Sequence, residues 1–162
     1  HRDLHSFPTR RSSDLTAAFA VDEERQAITG HSMGGHGALS MAMRLPGRFR
    51  SVSAFAPIAQ PSQSDWGRKQ LTAHLGTDEA AWLAHDSAHL MHDLGFEGEV
   101  LVDQGGADQF LDLLRPEALA HAMAARRQPG SFRVQAGYDH SYFFVQSFIP
   151  EHIAFHAEAL WR

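Results

Sequence analysis

Short apolar runs alternate along this chain with longer stretches whose apolar residues recur every three or four positions. The runs at 26–29 (QAIT), 51–56 (SVSAFA), 99–103 (EVLVD) and 132–135 (FRVQ) read as short buried strands bounded by polar or glycine-rich breaks. Between them, 35–45 places Ala38, Leu39, Ala42 and Leu45 on one helical face and stops at Pro46-Gly47. The stretch 58–67, rich in Pro, Ser and Gln, reads as loop, followed by short helices at 69–75, 79–84 and 87–94. An amphipathic helix spans 116–127 with Pro116 in its first turn. The chain then continues through a loop at 137–140 into one or two helices over 142–161, broken at Pro150. Upstream, 16–20 reads as the end of a helix and 21–25 as a polar connection. Strands alternating with helices predict parallel βαβ units, hence an α/β class with a mostly parallel sheet flanked by helices.

Composition changes this picture at one place. Residues 1–15, HRDLHSFPTRRSSDL, match codon for codon the translation of a short-read sequencing adapter, so the segment is read as foreign to the fold. It carries three Arg against two Asp, which leaves the remainder one unit more acidic than the net −5 of the whole. An acidic chain of this kind is not expected to bind nucleic acid. With no cysteine there is no disulfide framework and no thiolate metal site. No apolar run approaches the roughly 18 residues of a membrane span.

Chemistry enters at Gly30-His31-Ser32-Met33-Gly34, a G-x-S-x-G signature between a strand and a helix. A chain that ends a strand and opens a helix within one residue forces that serine into a tight turn. Glycines at 30 and 34 are expected because a Cβ there would collide with the neighbouring strand and helix. The turn lifts the Ser32 hydroxyl above the sheet and aims the first helical amides, Met33 N–H foremost, at a developing oxyanion.

A serine hydroxyl needs a base, and the base an orienting carboxylate. On an α/β-hydrolase scaffold these follow in the order Ser, acid, His, past the ends of later strands. Of the twelve histidines, only His140 lies in a late post-strand loop. The acid has three candidates: Asp103 ends its strand and would pack against the turn, Asp139 adjoins His140 too closely to fold back on it, and Asp108 has the reach. The expected set is therefore Ser32, Asp108 and His140. His31 and His36 flank the serine as packing or functional residues alike. His74, His85, His89, His92 and His121 read as solvated helix positions. His152 and His156 have i, i+4 spacing without a third ligand, so no metal site is assigned.

The strings GHSMGGHGAL, SVSAFAPI, WGRKQL, HLGTD, LVDQGGADQFL and GYDHSYFFVQSFIPEHIAFHAEAL resemble the S-formylglutathione hydrolase (esterase D) family from about Phe19 to the C-terminus. One departure is Asp65 before Trp66-Gly67, where the family usually has Pro. The resemblance implies a cytoplasmic, cofactor-free serine thioesterase that cleaves S-formylglutathione to glutathione and formate and accepts simple carboxylesters. It puts the nucleophile on Ser32, the acid on Asp108, the base on His140 and one oxyanion amide on Met33. A homodimer is an allowed assembly; nucleic acid and membrane are not expected partners. Residues 16–162 correspond to the C-terminal portion of a single α/β-hydrolase domain, with the first strands and the second oxyanion amide lying upstream. By itself such a piece is expected to be poorly soluble and inactive. Another esterase or an acyltransferase of the same group, an inactive fragment and a non-catalytic α/β module are the alternatives.

Overall fold

The computed structural model describes residues 18–162; the expectations for 1–15, and for the first part of the helix at 16–20, fall outside the described residues. Four strands, β1 (Ala27–His31), β2 (Ser51–Phe55), β3 (Glu99–Gly105) and β4 (Gly130–Gln135), form one sheet in the order β1-β2-β3-β4, every pair parallel. The helices are α1 (Met33–Arg44), α2 (Asp65–Leu75), α3 (Glu79–Leu83), α4 (Ser87–Asp93), α5 (Leu111–Leu114), α6 (Pro116–Arg126) and α7 (Tyr142–Trp161). The α/β class and its four strands agree with the sequence pattern.

Strand alternation sorts side chains onto two faces. Ile28, Val52, Ala54, Val100, Val102 and Phe132 meet Ala38, Leu39, Ala42 and Met43 of α1, Leu90 and Met91 of α4, and Leu119, Ala122 and Met123 of α6. Fully burying each large aliphatic side chain in this layer contributes roughly 1.5–3 kcal/mol. Leu45, expected on the same helical face, is exposed instead. It sits one residue past α1 with non-helical φ −121° and ψ 70°, and Met43 takes the buried place.

Helix α2 begins four residues before the expected start. Ser64 has extended backbone and its hydroxyl accepts from Gly67 N–H, an N-cap that opens the helix at Asp65. The loop expected over 58–67 is accordingly short, and it includes a 3₁₀ turn at Pro61–Gln63. Pro150 does not break α7, which runs continuously. A proline inside a helix costs about 3 kcal/mol. Here Phe144, Phe148 and Ile149 before it and His152 after it are held by packing, which outweighs the lost hydrogen bond.

Beneath α7 the second sheet face joins an apolar cluster of Phe55, Leu114 and Phe144 to a buried polar network. Asp103, fully buried, accepts from Arg133 Nη2 at 2.5 Å, Arg133 Nε at 2.7 Å, Gln135 Nε2 at 3.0 Å and His152 Nε2 at 3.0 Å. Ser53 Oγ lies 2.8 Å from His152 Nδ1, 2.7 Å from His156 Nε2 and 2.8 Å from Thr29 Oγ1, while Ser51 Oγ lies 2.8 Å from His156 Nδ1. The His152 ring stacks on Phe55 at 3.7 Å. Asp103 therefore does not pack against the turn as expected. It anchors α7 to the sheet, and the i, i+4 histidines are its companions.

Burial alone would push the Asp103 carboxyl up, but the hydrogen bonds from His152, Arg133 and Gln135 and the Arg133 charge hold it at about 2. Burial, followed by the neighbouring His152, lowers His156 to about 4. An unfolded histidine protonates near 6.5, so below that pH the unfolded chain binds the extra proton and stability falls. Urea unfolding should show His156 withdrawing at most about 3 kcal/mol as pH drops from about 6.5 to about 4. His156→Gln should flatten that decline. The Asp103 contribution should survive it and disappear only below the unfolded carboxylate pKa of about 3.9, as pH falls toward 2.

Candidate active site

Ser32 stands between β1 and α1 with φ 57° and ψ −116°, a conformation that non-glycine residues rarely hold. Backbone hydrogen bonds over-determine it. Ser32 N–H donates to Phe55 O at 2.8 Å, Ile58 N–H to Ser32 O at 3.3 Å, and His36 N–H to the same oxygen at 3.0 Å. A Cβ on Gly30 would sit 2.2 Å from the Gly34 carbonyl, so only glycine lets strand and helix approach this closely. The expectation for Gly34 itself fails, since a Cβ there would meet nothing within 4 Å among the described residues. The second tight position is Gly35, 3.1 Å from Gly30 O and Pro57 Cβ. Met33 N–H, one of the free amides of the first helical turn, makes no hydrogen bond among the described residues. Its side chain is exposed.

Asp108 and His140 follow β3 and β4, at the same carboxyl ends of the strands as Ser32. The two loops are stitched together by Gly106 N–H to Gln135 O at 2.8 Å and Ala107 N–H to Tyr138 O at 2.9 Å. A Cβ on Gly105 would come within 2.5 Å of Tyr138 O, so this close approach also depends on glycine. Asp108 is buried; its Oδ2 accepts from His140 Nδ1 at 2.7 Å and Gln104 Nε2 at 2.9 Å, its Oδ1 from Phe110 N–H at 2.8 Å. Asp108, and neither Asp103 nor Asp139, is the carboxylate that meets the imidazole. Asp139 Oδ1 instead accepts from Ser141 N–H.

His140 lies against the elbow through His31, whose ring centroid is 4.6 Å away. No hydrogen bond joins the Ser32 hydroxyl to His140 in this conformation. His36 faces inward, with Nδ1 3.0 Å from Ile58 O and 2.8 Å from Ser87 Oγ, and burial leads the causes that lower its pKa. It packs and supports α1. Gln104 and Phe110, the other partners of the Asp108 carboxylate, escaped the sequence reading. Their signal is only their place on either side of Asp108 in VDQGGADQF. Beside Met33 opens a cleft of about 670 Å³, lined among others by Ile58, Trp66, Leu71 and Leu75.

A serine at a strained strand–helix turn, with a carboxylate–imidazole pair at neighbouring strand ends, defines an α/β-hydrolase-type site on a parallel sheet. The family model for esterases, described as "Putative esterase", matches residues 13–155, and the chain belongs to that family. It is 71% identical over 142 residues to the S-formylglutathione hydrolase of Paracoccus denitrificans, covering 88% of this chain and 51% of that protein. It is 43% identical to the S-formylglutathione hydrolase of Bos taurus, over 97% of this chain and 57% of that one. An S-formylglutathione hydrolase structure from Agrobacterium tumefaciens superposes with a TM-score of 0.89 at 42% identity, covering 99% of this chain and 58% of that one. The resemblance read from the motifs is borne out. The chain spans about half the length of the curated relatives it matches. No helix among the described residues is long and apolar enough to cross a membrane.

The elbow geometry has a sharp consequence for substitution. Gly30→Ala should cost on the order of 3 kcal/mol or more, because the new methyl meets backbone rather than a movable side chain. Gly34→Ala should cost under about 1 kcal/mol. Denaturant unfolding of the two variants side by side measures the difference.

Proposed function

We propose that residues 16–162 are the C-terminal portion of a single α/β-hydrolase domain whose activity is hydrolysis of S-formylglutathione. Ser32 is the nucleophile, His140 the general base and acid, Asp108 the orienting carboxylate, and Met33 N–H one oxyanion donor. The observation that carries this reading is the 2.7 Å Asp108–His140 contact beside a serine held at positive φ. The high identity to proteins named for that activity supports the substrate.

In this mechanism Ser32 Oγ attacks the thioester carbonyl carbon while His140 Nε2 takes its proton. Asp108 steadies the imidazolium through Nδ1. The tetrahedral oxyanion is held by Met33 N–H and by a second amide that the resemblance places upstream. The C–S bond breaks, and His140 returns its proton to the departing glutathione thiolate. Water, deprotonated by His140, then attacks the formyl ester on Ser32, releasing formate and regenerating the hydroxyl. Every group that moves belongs to the protein, the substrate or water, so no cofactor enters. The partner is thus a small-molecule thioester. A cytoplasmic location and a homodimeric assembly belong to this reading through the resemblance alone.

The resemblance extends this reading to turnover of short carboxylesters as well. Completing this chain with the upstream half of its Paracoccus denitrificans relative should yield thioesterase activity. With the second oxyanion amide on the upstream half, as the resemblance implies, the chain alone should be slower on the order of 10²-fold or more. In the completed protein, Ser32→Ala or His140→Ala should each lower kcat on the order of 10³-fold or more, because the three residues act as a unit. A Ser32→Ala variant with undiminished turnover removes the serine mechanism. Faster turnover of a short-chain ester panel than of S-formylglutathione reassigns the substrate within the esterase group.

A further inference from the structure

His31 closes β1 immediately before Ser32 and shares the α7 side of the sheet with Phe55 and Asp103. Its ring lies 4.6 Å from that of His140, tilted by 38°, and 5.8 Å from that of Tyr142. Phe110 meets the same His140 imidazole edge-on at 5.2 Å and 89°. The His31 Nε2 atom is buried without a hydrogen-bond partner among the described residues, so within them the ring is held by packing and not by its nitrogens. Burial first, then the nearby His140, lowers its pKa against the opposing pull of Asp108, which favours the neutral ring.

The His140 ring has one directional anchor, the Nδ1 bond to Asp108. A ring tethered at one atom can still tip, and its Nε2 is not hydrogen-bonded to Ser32 in this conformation. Ring orientation must then come from packing. We propose that His31 is a positioning residue, whose ring packs against that of His140 and holds its free nitrogen toward Ser32. This rests on the reading of His140 as the base. Two features suit His31 to the task. It ends the strand that delivers the nucleophile, one residue before Ser32, so support and target move together. Its neutral π face also lies beside His140 at the moment that ring becomes cationic, a contact that is attractive, whereas a second charged imidazole would repel.

Misplacing a catalytic group by about 1 Å can cost 10²-fold in rate. In the completed protein, His31→Ala should therefore lower kcat for S-formylglutathione on the order of tenfold with KM little changed. His31→Phe, which restores a ring without the nitrogens, should recover most of the loss, and His31→Leu, which fills space without a π face, should not. Circular dichroism confirms that each variant is folded. If His31→Ala does not fold, the comparison of Leu with Phe decides. Wild-type kcat in His31→Ala, or equal impairment in folded Phe and Leu variants, overturns the proposal. Ser32→Ala measured alongside separates the two levels. Full activity there removes the serine mechanism on which this role depends, while an inactive Ser32→Ala beside an unaffected His31→Ala removes only the support by His31.

Discussion

Everything at this site depends on how closely one strand and one helix can approach. At Gly30 the Gly34 carbonyl occupies the volume that any Cβ would need, and Gly35 sits nearly as close to Gly30 O and Pro57. That contact leaves a single residue for the reversal, and Ser32 must take up a left-handed φ to complete it. The cost of such a conformation, on the order of 1–3 kcal/mol, is met by the bonds to Phe55, Ile58 and His36 that surround it. Strand β2 is thus a second support of the elbow, since its last carbonyl holds the serine amide. The parallel register, pairing His31 with Phe55 and Phe55 with Asp103, then brings the ends of β1, β2 and β3 to one level. Gly105 of β3 pairs with Gln135 of β4, which extends the rim to the last strand, and Ser32, Asp108 and His140 all follow strands that end along it.

The other half of the site is delivered by a buried charge. Asp103, on β3, is removed from water and would destabilise the fold if left alone; breaking a buried ion pair typically costs about 3–5 kcal/mol. Arg133 and Gln135 from β4 and His152 from α7 answer it together. The cluster therefore locks the last strand and the last helix in one arrangement. His140 lies in the segment between them, so the docking of α7 also sets where the imidazole sits. A proline inside α7 is tolerated for the same reason: packing and the Asp103 cluster grip the helix on both sides of Pro150. One sheet face is thus an apolar layer that supplies stability, and the other combines an apolar cluster around Phe55 and Phe144 with the polar Asp103 cluster that supplies placement.

The sequence by itself determined the α/β class, the four strands and the turn at Ser32, and it paired Asp108 with His140 from three acids and twelve histidines, a pair the structure joins by a hydrogen bond. These follow from local rules: apolar periodicity, glycine at a turn that excludes Cβ, and chain order at strand ends. Local rules also reached Gly30, but at Gly34 they assumed a collision that the neighbouring elements do not produce. The early start of α2 lay within reach as well, in the Ser64 cap, had the run of loop-forming residues not obscured it. What only the tertiary structure decided is the meaning of side chains far apart in the chain. Asp103 and His152, Gln104 and Asp108, and His31 and His140 acquire their roles from strand register and from the docking of α7. No short window of sequence holds both partners of such pairs with their orientation, because register and helix docking are fixed by the burial of the whole sheet.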